Sequence, residues 1–209
     1  SAILTMPPAK MPYSVPGIIT AHGTGNAMEN PLLVAFTDGL AREGYPALRF
    51  NFPYKERGLS APDRPEELEE TLLAAYRFFR ELSGLDPAKI VAAGKSVGGR
   101  IASRAAAEGK LPVGGLIFLS YPLHHAGDTA MASDALCQIE VPMLFFAGTN
   151  DPLCDLELLK AVLGKLPVCW KLDVIEGGDH CLNLPESSGI GRYEVFDQIV
   201  IDTLDFLRP

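Results

Sequence analysis

Ile90-Val91-Ala92-Ala93-Gly94-Lys95-Ser96-Val97-Gly98-Gly99 runs from a short apolar segment into a serine flanked by glycines. The apolar part reads as a buried strand, and the small-residue run Ile101–Glu108 reads as a helix. Strand, G-x-S-x-G, helix is the context of a nucleophile elbow, a tight and strained turn that exposes the residue at its apex. Ser96 occupies that apex, and the glycines let strand and helix approach without Cβ clashes. The N–H of Val97, first in the helix, then points where an oxyanion would form. Gly94-Lys95-Ser96 also resembles the end of a phosphate-binding Walker A loop. That loop needs a glycine five positions before Gly94, and Lys89 stands there, so the phosphate reading fails.

Working outward, the same alternation repeats. Residues 1–16 are proline-rich, with room for a short edge strand. Gly17–Ala21 is a strand ending in His22-Gly23-Thr24-Gly25, and Pro31–Arg42 a helix with an apolar face. Ala47–Phe52 is a strand stopped by Pro53, followed by a polar loop over 54–62. Asp63 reads as the N-cap of a long helix whose acidic first turns, from Glu66 to Glu70, suit the positive end of the helix dipole. Past the elbow come strands at Gly115–Ser120, Val141–Ala147 and Val168–Ile175. Helices reach Leu163 and span Tyr193–Leu207. The pattern predicts an α/β protein: a three-layer α/β/α sandwich on a mostly parallel sheet of about six to seven strands. With no linker and no internal repeat, one domain over 1–209 is expected.

The bulk composition narrows the partners. A 209-residue chain buries roughly 70% of its unfolded surface and needs no staples. The formal net charge of −8 argues against nucleic acid or an anionic membrane as partner. No apolar run approaches the ~18 residues of a membrane span. The first residues carry no basic-then-apolar leader. Cys137, Cys154, Cys169 and Cys181 are dispersed, which suits reduced thiols and a cytoplasmic location and offers no paired zinc ligands.

In open parallel sheets, chemistry gathers at the carboxyl ends of the strands. Those ends deliver Ser96, Asp151 and His180, in that chain order. A serine hydroxyl is a weak nucleophile and needs a base, and histidine titrates near neutrality. A carboxylate on the other ring nitrogen fixes its tautomer. Asp155 is the nearest rival to Asp151, with Asp179 and Asp173 behind it. The oxyanion donors are expected from Val97 and Thr24, with Gly23 second to Thr24. His22 reads chiefly as a structural residue of the oxyanion loop. Lys95, Tyr121, His124 and His125 stand at strand ends where they can line a pocket. Lys95 is equally placed to point to solvent. Cys181 reads as a packing thiol.

From Gly17 to Leu207 the chain resembles the α/β-hydrolase superfamily. The resemblance is carried by Ala21-His22-Gly23, Arg49 to Tyr54, Gly94 to Arg100, Tyr121-Pro122-Leu123, Gly148 to Asp151 and Gly178-Asp179-His180. Within it the chain is most similar to small lidless members near the dienelactone-hydrolase group, including those related to a testis-expressed protein and to a chromatin-complex subunit. The resemblance implies Ser96 as nucleophile, Asp151 as orienter and His180 as base. No insertion is long enough for a lid domain, which argues against long-chain lipase activity.

The expected function is a serine hydrolase of small esters or thioesters, with no cofactor and no metal, acting as monomer or homodimer. A non-catalytic binding domain on the same fold is the alternative. A peptidase or C–C bond hydrolase on the same triad is a third reading.

Overall fold

The computed structural model describes residues 1–8, 15–124 and 133–208; His125 lies outside them. Seven strands form one sheet: β1 (Ala2–Thr5), β2 (Gly17–Ala21), β3 (Ala47–Phe50), β4 (Ile90–Lys95), β5 (Gly115–Leu119), β6 (Met143–Gly148) and β7 (Trp170–Ile175). Their spatial order is β1-β3-β2-β4-β5-β6-β7. β1 is the antiparallel edge strand, and every other pairing is parallel. The elbow strand β4 lies between β2 and β5, at the centre of the sheet.

The strands at the centre are buried on both faces, so they read as continuous apolar runs. Successive side chains still alternate. Ile90 and Ala92 face one core, Val91 and Ala93 the other. The first core is closed by α3 (Pro65–Ser83), α4 (Val97–Ala107) and α5 (Leu156–Leu163), through Leu72, Phe79, Ile101 and Leu159 among others. The second is closed by α1 (Pro31–Arg42) and α6 (Arg192–Leu207), through Phe36, Leu40, Phe196 and Ile199. This is the three-layer arrangement the alternating pattern called for.

Local chemistry sets the helix ends. Asn30 caps α1 by accepting the Leu32 N–H at 3.0 Å, with Pro31 in the first turn. α3 stops at Gly84, whose φ of 66° continues no helix. Two expectations need correction. Pro53–Glu56 is not loop but a one-turn helix, α2. Asp63 does not cap α3, which begins after Arg64 with no side-chain cap. Its carboxylate turns back instead, accepting the Tyr54 N–H at 2.8 Å and pairing with Arg57. It thereby satisfies α2, and Glu66 and Glu67 in the first turn of α3 are left to suit that helix's dipole.

The strand after Ala47 also ends earlier than its apolar run. Asn51 still donates its N–H to the Ser1 carbonyl at 2.9 Å, but the Phe52 N–H bonds the ring of His22 instead. Two polar clusters tie elements together, one between the sheet and α1 and one within the layer of α3 and α4. Arg49 reaches from β3 to Thr37 at 2.8 Å and Asp38 at 3.1 Å on α1. Glu69 on α3 is buried and accepts from Arg104 on α4 at 3.0 Å and from Lys110 at 2.7 Å. Burial pushes the Glu69 pKa up, but the two cationic partners outweigh it and hold the carboxyl below the usual range.

Candidate active site

The elbow is as tight as its glycines allow. Ser96 has φ 52° and ψ −122°, a region an L-residue enters only under constraint. A Cβ on Gly98 would lie 2.6 Å from the Ala21 carbonyl oxygen, so β2 and α4 meet only because that side chain is absent. The turn is pinned by the Ser96 N–H on the Leu119 carbonyl at 3.1 Å. Val97 opens α4, so its N–H has no acceptor within the helix.

Three chain segments meet at Ser96. The Ser96 hydroxyl lies 2.9 Å from His180 Nε2, and His180 Nδ1 lies 2.8 Å from Asp151 Oδ2. A carboxylate accepts, so Nδ1 carries the proton and Nε2 is left to accept from the serine. The other Asp151 oxygen accepts the Leu153 N–H at 2.8 Å, which fixes the carboxylate in its turn. The Asp151 side chain is fully buried, whereas that of His180 keeps 21% of its surface. The loop after β7 approaches the one after β6 closely, and a Cβ on Gly148 would overlap the Gly178 carbonyl. This approach brings Asp151 and His180 together.

The rivals of Asp151 are engaged elsewhere. Asp155 caps α5 through the N–H groups of Glu157 and Leu158. Asp179 accepts from the Cys181 and Asn183 amides and so shapes the loop that bears His180. Asp173 pairs with Lys171 on β7 at 2.9 Å.

The loop after β2 lies across the elbow. Gly23 packs against Ser96. Its carbonyl accepts from His22 Nδ1 at 2.9 Å, from the Asn26 N–H at 3.2 Å and from the Tyr54 hydroxyl at 3.3 Å. His22 is closed off from solvent, and its Nε2 accepts the Phe52 N–H at 3.1 Å while Nδ1–H donates to Gly23. Burial lowers its pKa, which suits a neutral ring with one donor and one acceptor. Because a trans peptide sets C=O and N–H on opposite sides, a Gly23 carbonyl held inward turns the Thr24 N–H outward. Thr24 itself is exposed.

A cleft of about 510 Å³ opens beside the elbow. Val97, Arg100, Ile101 and Tyr121 line one side, with Pro65 and Leu68 of α3 facing them. Tyr121 is buried, and its hydroxyl meets Ser103 Oγ at 3.2 Å. Burial pushes its phenol pKa up. His124 instead turns to the α5 end, where its Nε2 accepts the Asp155 N–H at 3.0 Å. Lys95 points neither into the cleft nor to solvent. It is buried, with Nζ 2.9 Å from the His180 carbonyl oxygen. Cys181 is exposed, whereas Cys154 is packed inside with its thiol pushed up to about 12 by burial.

A family model for the alpha/beta hydrolase domain matches residues 15–208, nearly the whole chain. The chain belongs to the alpha/beta-hydrolase family. Among the described residues no insertion between the strands and helices of the sheet forms a separate lid domain. Among curated relatives it is 25% identical, over 191 residues, to the quorum-quenching protein AidA of Acinetobacter baumannii. That match covers 90% of this chain but 58% of AidA, so the chain spans under two thirds of that relative's length. An alpha-beta serine hydrolase homologue from Coxiella burnetii superposes with a TM-score of 0.76 at 23% identity, covering 97% of this chain and 90% of that one. Dienelactone hydrolase from Anabaena variabilis gives 0.71 at 21% identity, covering 99% and 92%. At these identities the solved structures speak for the hydrolase fold, which the strand order and the elbow already describe.

Proposed function

We propose that the protein is a serine hydrolase of small esters or thioesters, with Ser96 as nucleophile, His180 as base and Asp151 as the group that orients it. The observation that carries this reading is the continuous hydrogen-bonded line from Asp151 Oδ2 through both His180 nitrogens to Ser96 Oγ. As Oγ attacks the acyl carbon, its proton passes to His180 Nε2, and the carbonyl electron pair moves onto oxygen. The N–H groups of Val97 and Thr24 receive that oxyanion, while Gly23 keeps the loop in place. Collapse expels the alcohol or thiol, which takes the proton from His180. Water then repeats the sequence on the acyl-enzyme and frees Ser96.

We assign the acyl group to the cleft beside Val97: Ser96 and His180 do not line it, but Val97 and Tyr121, which follow the carboxyl ends of β4 and β5, do. A volume of about 510 Å³ suits a small or medium acyl chain. These steps draw only on side chains and amides of the protein itself.

Labelling by a fluorophosphonate, read by intact mass, tests the reading on the parent and on Ser96→Ala. One adduct on the parent and none on the variant is the expected result. A folded parent that takes no adduct overturns the proposal. Short p-nitrophenyl esters and acyl thioesters then rank the substrates.

A further inference from the structure

Lys95 is the residue just before Ser96, and it is 1% exposed. Burying an ammonium is costly, and an apolar side chain of the same length would fill the space without that cost. Among the described residues its Nζ has one hydrogen-bond partner, the main-chain carbonyl of His180, 85 positions away in the chain. The loop around His180 has its own anchors. Leu182 is fully buried, Gly178 sits against Gly148, and Asp179 holds the amides of Cys181 and Asn183. These act on the residues to either side of His180. The His180 carbonyl itself is held by Lys95.

We infer that Lys95 is a positioning residue for the base: its ammonium fastens the backbone of His180 to the elbow, so that two consecutive residues, Lys95 and Ser96, grip the main chain and the ring of the same histidine. The inference rests on the serine-hydrolase reading for its catalytic consequence and on the hydrogen bond alone for its structural one. Burial also draws the Lys95 amine below the ordinary lysine range, against the opposing pull of Cys181, Asp151 and Asp179. A neutral amine retains N–H donors, so the tether survives either protonation state. What the tether fixes is the Nε2–Oγ distance, and a base displaced by 1 Å costs about 100-fold in rate.

The test compares the parent with Lys95→Met, which removes the donor, and Lys95→Gln, which keeps an amide donor one atom short. The phosphonylation rate should fall about 10-fold to 100-fold in Lys95→Met. On a short p-nitrophenyl ester the loss should appear in kcat with KM little changed. Lys95→Gln should fall between the two, and should carry the test alone if Lys95→Met does not fold. The melting temperature of Lys95→Met should stay within a few degrees of the parent, because relief of the buried amine offsets the His180 carbonyl left without its donor. A Lys95→Met variant that reacts at the parental rate overturns the inference, and so does a lower melting temperature with kcat intact. Proton NMR separates this from failure of the hydrolase reading. The low-field resonance of His180 Nδ1–H should weaken and exchange faster in Lys95→Met, even if the parent takes no adduct. An unchanged resonance in the variant overturns the tether on structural grounds.

Discussion

Two loops at the carboxyl ends of the sheet each present a histidine, and they use it in opposite ways. After β2, His22 is fully buried, T-shaped against Phe52, with both ring nitrogens committed to backbone groups. After β7, His180 is partly open to solvent, with one nitrogen on a carboxylate and the other on a serine hydroxyl. The first ring replaces a missing main-chain partner and stabilises a shape. The second joins groups able to exchange a proton. The residue type alone does not separate these roles; what lies on each ring nitrogen does.

Substitutions at the two loops should therefore dissociate activity from stability. The largest effect is expected at the elbow: Ser96→Ala should lower turnover by about 10⁴-fold or more in an ester assay while leaving the melting temperature within a few degrees. Asp151→Asn should follow, with a loss of about 10³-fold to 10⁴-fold, because an amide favours the wrong imidazole tautomer. If Asp151→Asn hydrolysed esters at the parental rate, the carboxylate would be serving the fold alone.

His22→Ala should show the reverse. Loss of the ring leaves the buried Phe52 N–H unpaired and opens a cavity, at a cost of about 2–4 kcal/mol by urea unfolding. Its pH dependence sharpens the contrast. The folded pKa of His22 lies below the ordinary 6.5, so its contribution is complete above 6.5. It falls as pH drops below 6.5, where the unfolded chain takes up the proton first. The parent should thus lose more stability than His22→Gln between pH 7.5 and 5.5, and parallel unfolding curves for the two would refute this account. The smallest effect concerns strain. Ser96→Gly should be more stable than Ser96→Ala by about 1 kcal/mol, since glycine enters φ 52° without a Cβ clash.

The sequence discloses those parts of the molecule that local rules govern. The elbow is legible because Gly94, Gly98 and Gly99 lie within six residues of a strand and a helix of opposite periodicity. The layer order follows from the β, α repeat. Asp151 is already preferred over Asp155 and Asp179 in the sequence, and in the structure His180 lies on Asp151 while both rivals hold nearby amides. The features that escape such a reading depend on distant partners. Asp63 looks like a cap for the helix that follows it, yet the Tyr54 amide and Arg57 lie closer in space than the Glu66 turn suggests. Lys95 is a lysine beside a nucleophile, and nothing local tells which side of β4 it takes or that a carbonyl 85 positions later awaits it. The shortening of β3 to Phe50 belongs to the same class, since a ring on β2's loop captures the Phe52 amide.

The hydrogen bond between Ser96 and His180 closes a chain interval of 84 residues, and it does so between the central strand and the loop beyond the opposite edge. Parallel pairing of this kind forms slowly, since long intervals must close before their contacts repay the lost entropy. Under the proposed mechanism, phosphonate labelling of Ser96 is therefore a clock for folding: during refolding from urea, helical signal should return first, and labelling should appear only when β7 has docked on β6.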